Sequence, residues 1–329
     1  PRQGFVQLLH IRKPRLWFAR FAHILTCGAF IARYDYQWTL LLNQHRMEAF
    51  VRFMGQTIFE GEYLGASDLA IFYMLALFGL YVYTERCPQD IRWRPWHPHI
   101  RFAVLSGFLT GLGTVHSLKW VIGRARPQLV LRHGVPFSDW YEFGPLFVTD
   151  GVFRGSFPSG HTAAIFLFMT LAYALVHNPI NRRDLTIAGW CWGAVTLLLC
   201  LAMSVGRTMS LAHWIGDGLA TIMMNWMVMH ALFFWILRIP DQMHHRVANY
   251  QSANGRGFRE LRICVRLFFL ILGLMMIAIG IRALQIETWP YFGMLIPPGC
   301  YLAIFFGNQI ASPGIPAWWR ATIDANEKW

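Results

Sequence analysis

The sequence predicts an all-α fold, a polytopic helical membrane protein, and three observations support this prediction. Hydrophobic residues make up 55% of the 329 residues and charged residues only 14%, whereas a soluble domain has about 25% charged residues. The mean hydropathy is +0.36. Apolar runs of about 17–25 residues, long enough to cross the hydrocarbon layer as helices, recur along the chain.

Eight apolar runs are predicted to be membrane-spanning: 16–32, 64–83, 102–122, 162–176, 185–205, 214–237, 263–281 and 291–310. The first contains Arg20, which reaches the membrane surface if it lies at the cytoplasmic end. The run at 162–176 is short, so its helix is expected to begin within the preceding motif. Pro297 and Pro298 predict that the last run is either a kinked span or a re-entrant pair. The start of the chain lacks the design of a cleaved signal peptide, so no cleavage is expected.

A further helix is predicted over 36–60, lying in the plane of the membrane surface. Its apolar side chains recur at helical spacing: Met47, Phe50, Val51, Met54 and Ile58. Its polar side chains fall on the other side: Gln44, Glu48, Arg52 and Gln56. A helix with two such faces fits the boundary between lipid and water.

The net charge of +12 reflects topology rather than nucleic-acid binding, because the basic residues do not form one basic face. They concentrate in alternate connections: 1–20, 84–101, 177–184 and 238–262. The positive-inside rule makes that side cytoplasmic. We therefore divide the chain into a cytoplasmic N-terminal segment, a six-helix membrane core, a basic cytoplasmic loop and an extension of one or two transmembrane helices, at 1–14, 15–237, 238–262 and 263–329.

Three polar clusters fall on the opposite, outer side. The first, KWVIGRARP, ends the run at 102–122 and contains Lys119 and Arg126. These residues lie about two helical turns apart, and a compact ammonium beside a flat guanidinium suits a phosphate dianion. Taken alone, the pair is more typical of cations that anchor a helix end.

The second cluster is PSGH, at the start of the run at 162–176. Pro158 is common at a helix start. Backbone N–H groups at Ser159 and Gly160 are expected to face an anion at the positive end of the helix dipole, with His161 in the first turn. Taken alone, the motif is typical of a plain helix cap.

The third cluster is GRTMSLAHWIGD, from Gly206 to Asp217. Arg207 follows one span, and His213 and Asp217 begin the next. Residues four apart share a helix face, so the carboxylate is expected to accept a hydrogen bond from the imidazole. A carboxylate near a membrane span usually serves function, although such a pair can also lock two helices together. Together, the three clusters predict phosphoryl transfer by positioning and electrostatics.

The three clusters resemble the signature of the type 2 phosphatidic acid phosphatase superfamily, K-x6-RP, PSGH and SR-x5-H-x3-D. Their order, spacing and placement agree over about residues 15–237. Gly206 stands where the pattern usually has Ser, which predicts slightly weaker phosphate contacts.

The resemblance implies a role for each matching residue. His213 would be the nucleophile that becomes phosphohistidine, and Asp217 would orient it. His161 would protonate the leaving group and later activate water. The phosphate would be held by the remaining positions: Lys119, Arg126, Ser159, Gly160 and Arg207. The resemblance implies no metal and no other cofactor, and the outer side has no cluster of carboxylates for magnesium.

Other polar residues have weaker interpretations. His116 either lines the site or is a buried, satisfied histidine. A set in the loop between the first two clusters is interpreted as solvated rather than as reading a head group: Arg124, Arg132, Asp139, Glu142, Asp150 and Arg154. Asp241, His244 and His245 are interpreted as an ordinary loop rather than a metal site.

The resulting prediction is an integral membrane lipid phosphatase acting on a phosphomonoester or pyrophosphate at the outer face. Phosphatidic acid, phosphatidylglycerophosphate, polyprenyl pyrophosphate and lipid A are the substrate types. The expected setting is a bacterial inner membrane with a periplasmic site, with substrate and membrane lipids as partners and no nucleic acid. The alternatives are a phosphotransferase of the same superfamily, a vanadate-dependent haloperoxidase, which the apolar runs oppose, and a non-catalytic membrane subunit.

Overall fold

The computed structural model confirms the all-α fold and describes most of the chain. The described residues are 22, 33–57, 60–61, 65–66, 68–87, 90, 92–139, 142–146, 155–237, 239–240, 243, 259–286 and 290–311. The only strands within these ranges are β1 (Glu60–Gly61) and β2 (Gly65–Ala66), which pair antiparallel. The predicted first span, 16–32, lies outside the described residues except for Ala22.

Twelve α-helices are labelled in chain order across the described ranges. They are α1 (Asp35–Gln44), α2 (Glu48–Arg52), α3 (Asp68–Arg86), α4 (His97–Phe108), α5 (Ser117–Ile122), α6 (Pro127–His133), α7 (Gly160–Phe166), α8 (Met169–Val176), α9 (Arg183–Met209), α10 (Ile215–His230), α11 (Arg259–Ile286) and α12 (Ile296–Ala311). Three π-helical stretches extend or join them: Phe53–Thr57, Leu109–His116 and Ala231–Ile236. Two 3₁₀ turns, Arg94–Trp96 and Pro290–Leu295, precede α4 and α12.

Four helices in the described part of the chain are long and apolar enough to cross a membrane. They cover Asp68–Arg86, Arg183–Met209, Ile215–Ile236 and Arg262–Gln285. Many of their large apolar side chains point away from the protein interior, among them Leu75 and Leu198, which are 59% and 64% exposed. Outward-facing leucines on such helices are suited to lipid. The chain is therefore a polytopic membrane protein.

Two predicted spans have informative boundaries. Helical structure is continuous over 97–122 and ends at Gly123, whose φ of +60° favours glycine. A Cβ there would lie 1.8 Å from the carbonyl oxygen of Leu146, so glycine is required on steric grounds as well. The helix of the 162–176 run begins at Gly160, inside the PSGH motif, as its short length predicted.

The segment predicted as one helix over 36–60 forms two helices instead. The helix α1 ends at Gln44 and α2 begins at Glu48, with a π-helical stretch following to Thr57. Both α1 and the π-helical stretch pack against α9. The segment thus belongs to the protein's packed interior as well as to its surface.

The C-terminal extension is a helical hairpin of α11 and α12. Pro297 and Pro298 lie in the first turn of α12 rather than in its middle. Proline is tolerated there because the first turn has no intrahelical acceptor for its missing N–H. Neither a mid-span kink nor a re-entrant pair is formed, and α11 also packs against α5.

The main apolar core lies between the central helices. Phe102, Phe166, Met203 and Phe233, from four different helical segments, are all at most 1% exposed. This core holds together the helices whose ends carry the three polar clusters.

Candidate active site

The three polar clusters meet where four helical ends come together. Residues Ala125 and Gly155 form an antiparallel β-bridge, and the N–H of Ser156 donates to the carbonyl of Arg124 at 2.7 Å. The indole of Trp214 donates to the carbonyl of Ala125 at 2.8 Å. These bonds join the first cluster to the second and to the third, so residues far apart in the chain share one site.

A tight turn connects Arg207 to His213. The carbonyl of Arg207 accepts hydrogen bonds from the N–H groups of Ala212 and His213, at 3.0 and 3.3 Å. Leu211 adopts a φ of +60°, a left-handed conformation that costs free energy in a non-glycine residue, and its side chain is buried. The turn places His213 before the first residue of α10, Ile215.

His213 is held by a backbone carbonyl rather than by Asp217. Its Nδ1 lies 2.6 Å from the carbonyl oxygen of Ser156 and 3.7 Å from Oδ2 of Asp217. The predicted imidazole–carboxylate hydrogen bond is therefore not formed, because His213 precedes the helix and does not share its face with Asp217. Since a carbonyl only accepts, Nδ1 carries the proton and Nε2 has the lone pair. Burial lowers the pKa of His213 to about 4, outweighing the nearby carboxylate.

Asp217 is fully buried and accepts three hydrogen bonds. Its donors are Nη1 of Arg124 at 2.6 Å, the N–H of Trp214 at 2.9 Å and the hydroxyl of Ser156. A buried carboxylate needs such partners to remain charged. Ser156 thus contacts both members of the pair, His213 through its carbonyl and Asp217 through its hydroxyl.

The predicted phosphate-binding cations form one cluster around His161. The charges of Lys119, Arg126 and Arg207 all act on the imidazole of His161, and His213 does so as well. All three cations and His161 are half-buried. Converging positive groups in a partly dehydrated site favour an anion strongly.

Ser159 caps α7 rather than facing an anion with its N–H. Its Oγ accepts from the hydroxyl of Thr162 at 3.0 Å and from the N–H of Thr162 at 3.5 Å. Its own N–H donates to Oγ1 of Thr221 at 2.9 Å. The N–H of Gly160 occupies the first helical position, where no intrahelical acceptor exists. Ser159 thus has a structural role at the start of α7, and its contribution to phosphate binding stays a prediction.

Gly206, the departure from the motif, is explained by the segment that precedes α3. A Cβ at this position would lie 2.9 Å from Cβ of Met54 and 3.5 Å from Cε1 of Phe50. Real Cβ atoms do not approach others that closely, so a Ser would push this segment away. Gly55 in the same segment lies close to Arg207, because a Cβ at position 55 would lie 3.4 Å from Nη1 of Arg207.

The comparison with protein families agrees with this geometry. The family model described as PAP2 superfamily matches residues 101–241. Residues 101–241, which we call the PAP2 domain, are thus similar to that superfamily. The match confirms the resemblance that the three motifs indicated. The PAP2 domain contains all three clusters, whereas α1, α2 and the hairpin of α11 and α12 lie outside it. No curated protein and no solved structure matched this chain.

Sequence reasoning missed Arg124, Asp35 and Ser156. Arg124 was interpreted as part of a solvated loop, but its side chain is fully buried, so that interpretation is wrong. Its position between Lys119 and Arg126, inside the first motif, was the available signal. Asp35 lies 89 residues from Arg124, and nothing local to its sequence indicates that it contacts the site.

Three of the remaining polar residues are exposed. His116 is exposed, not buried, and Arg132 and Glu142 are exposed as well. Asp150, Arg154, Asp241, His244 and His245 lie outside the described residues. Within the described part of the chain, no three His, Cys, Asp or Glu side chains are grouped so as to hold a metal ion.

Proposed function

We propose that this membrane protein is a lipid phosphatase that works through a phosphohistidine on His213. The observation that carries the proposal is the convergence of Lys119, Arg126 and Arg207 with two histidines, one of which has a free lone pair on Nε2. The cations would hold the phosphoryl oxygens and stabilise the charge that develops during transfer. The PAP2 superfamily match and the apolar helices support a phosphatase in a membrane.

The reaction has two steps. Nε2 of His213 attacks phosphorus while the bond to the lipid oxygen breaks, and His161 donates a proton to that oxygen. Water then attacks phosphorus, its proton passes to His161, and the bond to His213 breaks to release orthophosphate. The bound dianion, lying among the three cations, favours the protonated imidazole of His161 before the first step.

The proposed substrate is a lipid phosphomonoester or pyrophosphate reached from the outer leaflet. The site lies where Ile122 and Met209 end helical segments and Gly160 and Ile215 begin them, and the positive-inside rule assigns this end to the outside. In a bacterial inner membrane this side is the periplasm. The lipid tail would lie along the apolar helices.

The test is phosphate release from purified protein in detergent, with EDTA present. The panel consists of phosphatidic acid, phosphatidylglycerophosphate, undecaprenyl pyrophosphate and phosphorylated lipid A. Replacing the nucleophile in His213→Ala should reduce turnover by at least about a thousandfold. His161→Ala should slow both steps, by about 10²–10⁴-fold for loss of general acid–base catalysis.

The matched control is His133→Ala, an exposed histidine at the end of α6, which should leave turnover unchanged. Normal turnover in His213→Ala would contradict the mechanism. Phosphoryl transfer to an acceptor lipid without orthophosphate release would identify a transferase. Halide oxidation with vanadate would identify a haloperoxidase. The absence of any reaction would identify a non-catalytic subunit.

A further inference from the structure

A buried arginine connects the proposed catalytic carboxylate to a second carboxylate. The guanidinium of Arg124 donates to Oδ1 of Asp217 at 2.6 Å and to Oδ2 of Asp35 at 2.9 Å. All three side chains are 0% exposed. The Nε of Arg124 donates to the carbonyl of Ser138 at 2.8 Å, so the fork is held at three points. Its orientation is therefore well defined.

Aromatic rings enclose this arginine. The guanidinium carbon lies 5.4 Å from the ring centres of both Phe137 and Trp214. Tyr36, the neighbour of Asp35, stacks on Trp214 with ring centres 5.9 Å apart. Exclusion of water by these rings strengthens the electrostatic interactions within the network.

Asp35 comes from the start of α1, outside the PAP2 domain. Its Oδ1 accepts from the N–H of Gly216 at 2.7 Å, in the first turn of α10. A Cβ on Gly216 would lie 2.7 Å from Oδ2 of Asp35, so the carboxylate fits only against glycine. One oxygen of Asp35 therefore holds the helix that carries Asp217, and the other holds Arg124.

The charges of the network give Asp35 a second effect. Arg124 alone would neutralise Asp217, whereas two carboxylates and one guanidinium together carry a net negative charge. Burial by itself would lower the pKa of Arg124, but the charges of Asp217 and Asp35 outweigh it and raise that pKa. A net negative charge 3.7 Å from His213 favours the positive charge that the imidazole develops on attacking phosphorus.

We propose that Asp35 is a positioning residue for His213 and Asp217, acting through Arg124. The proposal rests on the proposed phosphohistidine function. It places part of the reaction machinery on the segment that precedes the PAP2 domain.

The test separates the charge of Asp35 from its shape. Asp35→Asn keeps an oxygen that can accept from Gly216 but removes the negative charge, whereas Asp35→Ala removes both. The matched control is Glu48→Gln, which removes a charge from an exposed ion pair with Arg46 in the same segment. Unfolding temperatures of all variants in detergent establish that each one is folded.

Two readouts are compared in the full-length protein. The first is the rate at which potassium phosphoramidate labels His213, followed by mass spectrometry; the bond from nitrogen to phosphorus in the reagent breaks, ammonia leaves and phosphohistidine forms. This readout needs no lipid. The second is kcat and KM for the best lipid substrate of the wild-type protein.

In Asp35→Asn, the labelling rate and kcat should both fall by about 10–100-fold, because such losses follow when a group that orients a reacting residue is removed. KM should stay within about twofold of the wild-type value. Glu48→Gln should match the wild type. A merely structural role would leave Asp35→Asn with wild-type rates, and that result would overturn the proposal.

A double variant tests whether Asp35 acts through Arg124. It also tests the proposal if Asp35→Asn alone fails to fold. Asp35→Asn combined with Arg124→Gln should be labelled no more slowly than Arg124→Gln alone. A further additive loss would overturn the proposal. If the wild-type protein is neither labelled at His213 nor active on any lipid, the proposed function is overturned and this inference with it. If the wild type and Asp35→Asn are labelled at equal rates, this inference alone is overturned.

Discussion

His213 owes its chemical state to the groups around it. The carbonyl of Ser156 selects the tautomer with the proton on Nδ1, and burial keeps the imidazole neutral at neutral pH by lowering its pKa to about 4. A neutral imidazole with a free lone pair is what a nucleophile requires. Asp217 acts on it through charge at 3.7 Å rather than through a direct hydrogen bond.

The reaction is expected to slow in two steps as the pH is lowered. Burial raises the pKa of Asp35 to about 6, against the charge of Arg124 and together with that of Asp217. Below this pH the charge of Asp35 is lost, so kcat should fall by about tenfold or more. Near pH 4 His213 gains a proton and loses its lone pair, and activity should disappear. A pH profile of kcat checks both steps.

The Asp35→Asn variant serves as the control for this profile. Its pH profile should lack the step near pH 6, which Asp35 causes, and keep the step near pH 4, which His213 causes. Ionisation of the substrate phosphate affects both proteins alike, so the difference between the two profiles isolates Asp35. If kcat of the variant falls by the same factor near pH 6, that step belongs to another group.

The helix α2 and the π-helical stretch after it both pack against α9. Gly206 makes this approach possible, because Met54 and Phe50 occupy the space that a side chain at position 206 would need. The departure from the family motif is thus a packing requirement of this chain.

Gly206→Ser, which restores the residue usual in the motif, should lower the free energy of unfolding by about 1–3 kcal/mol through overpacking. Unfolding temperature in detergent measures the loss. Gly79→Ser is the matched control, since nothing lies within 4 Å of a Cβ at that position. Met54→Gly removes the Cβ that approaches position 206, so it should reduce the cost of the serine when the two are combined, and an undiminished cost would contradict the packing explanation.

The C-terminal hairpin contributes, through Arg282 of α11, to the end of the molecule that carries the candidate site. This arginine is 1% exposed and donates to the carbonyls of Val121 at 2.7 Å, Leu146 at 2.9 Å and Gly144. Gly144 in turn donates to the carbonyl of Ile122 at 2.7 Å. Arg282 therefore joins residues 142–146 to the end of α5, which Arg124 closely follows in the chain.

Arg282→Ala should lower the free energy of unfolding by at least about 2 kcal/mol, because three carbonyls lose a charged donor. The control on the same helix is Arg266→Ala, since Arg266 donates to one carbonyl, that of Gln309, at 3.1 Å, and its loss should cost less. Thermal unfolding in detergent compares the two. Equal losses would mean that the loop contacts of Arg282 add nothing.

Patterns local to the chain were enough to predict most of the long helices and the motifs. The length and apolar character of a run determine whether its helix can cross a membrane, and the spacing within each motif identified the PAP2 domain. The boundaries were less predictable: the break between α1 and α2 and the start of α12 at its prolines depend on packing as well as on composition. The predicted domain limits at 15 and 237 stay a prediction beside the matched range of 101–241.

The buried network was decided by tertiary structure alone. Arg124 lies 93 residues from Asp217 and 89 from Asp35, so no local pattern links them. Whether an arginine is solvated or buried depends on what packs over it, and here Phe137 and Trp214 cover it. The sequence specified which side chains could carry charge, but the fold decided which of them lose their water and must therefore pair with one another.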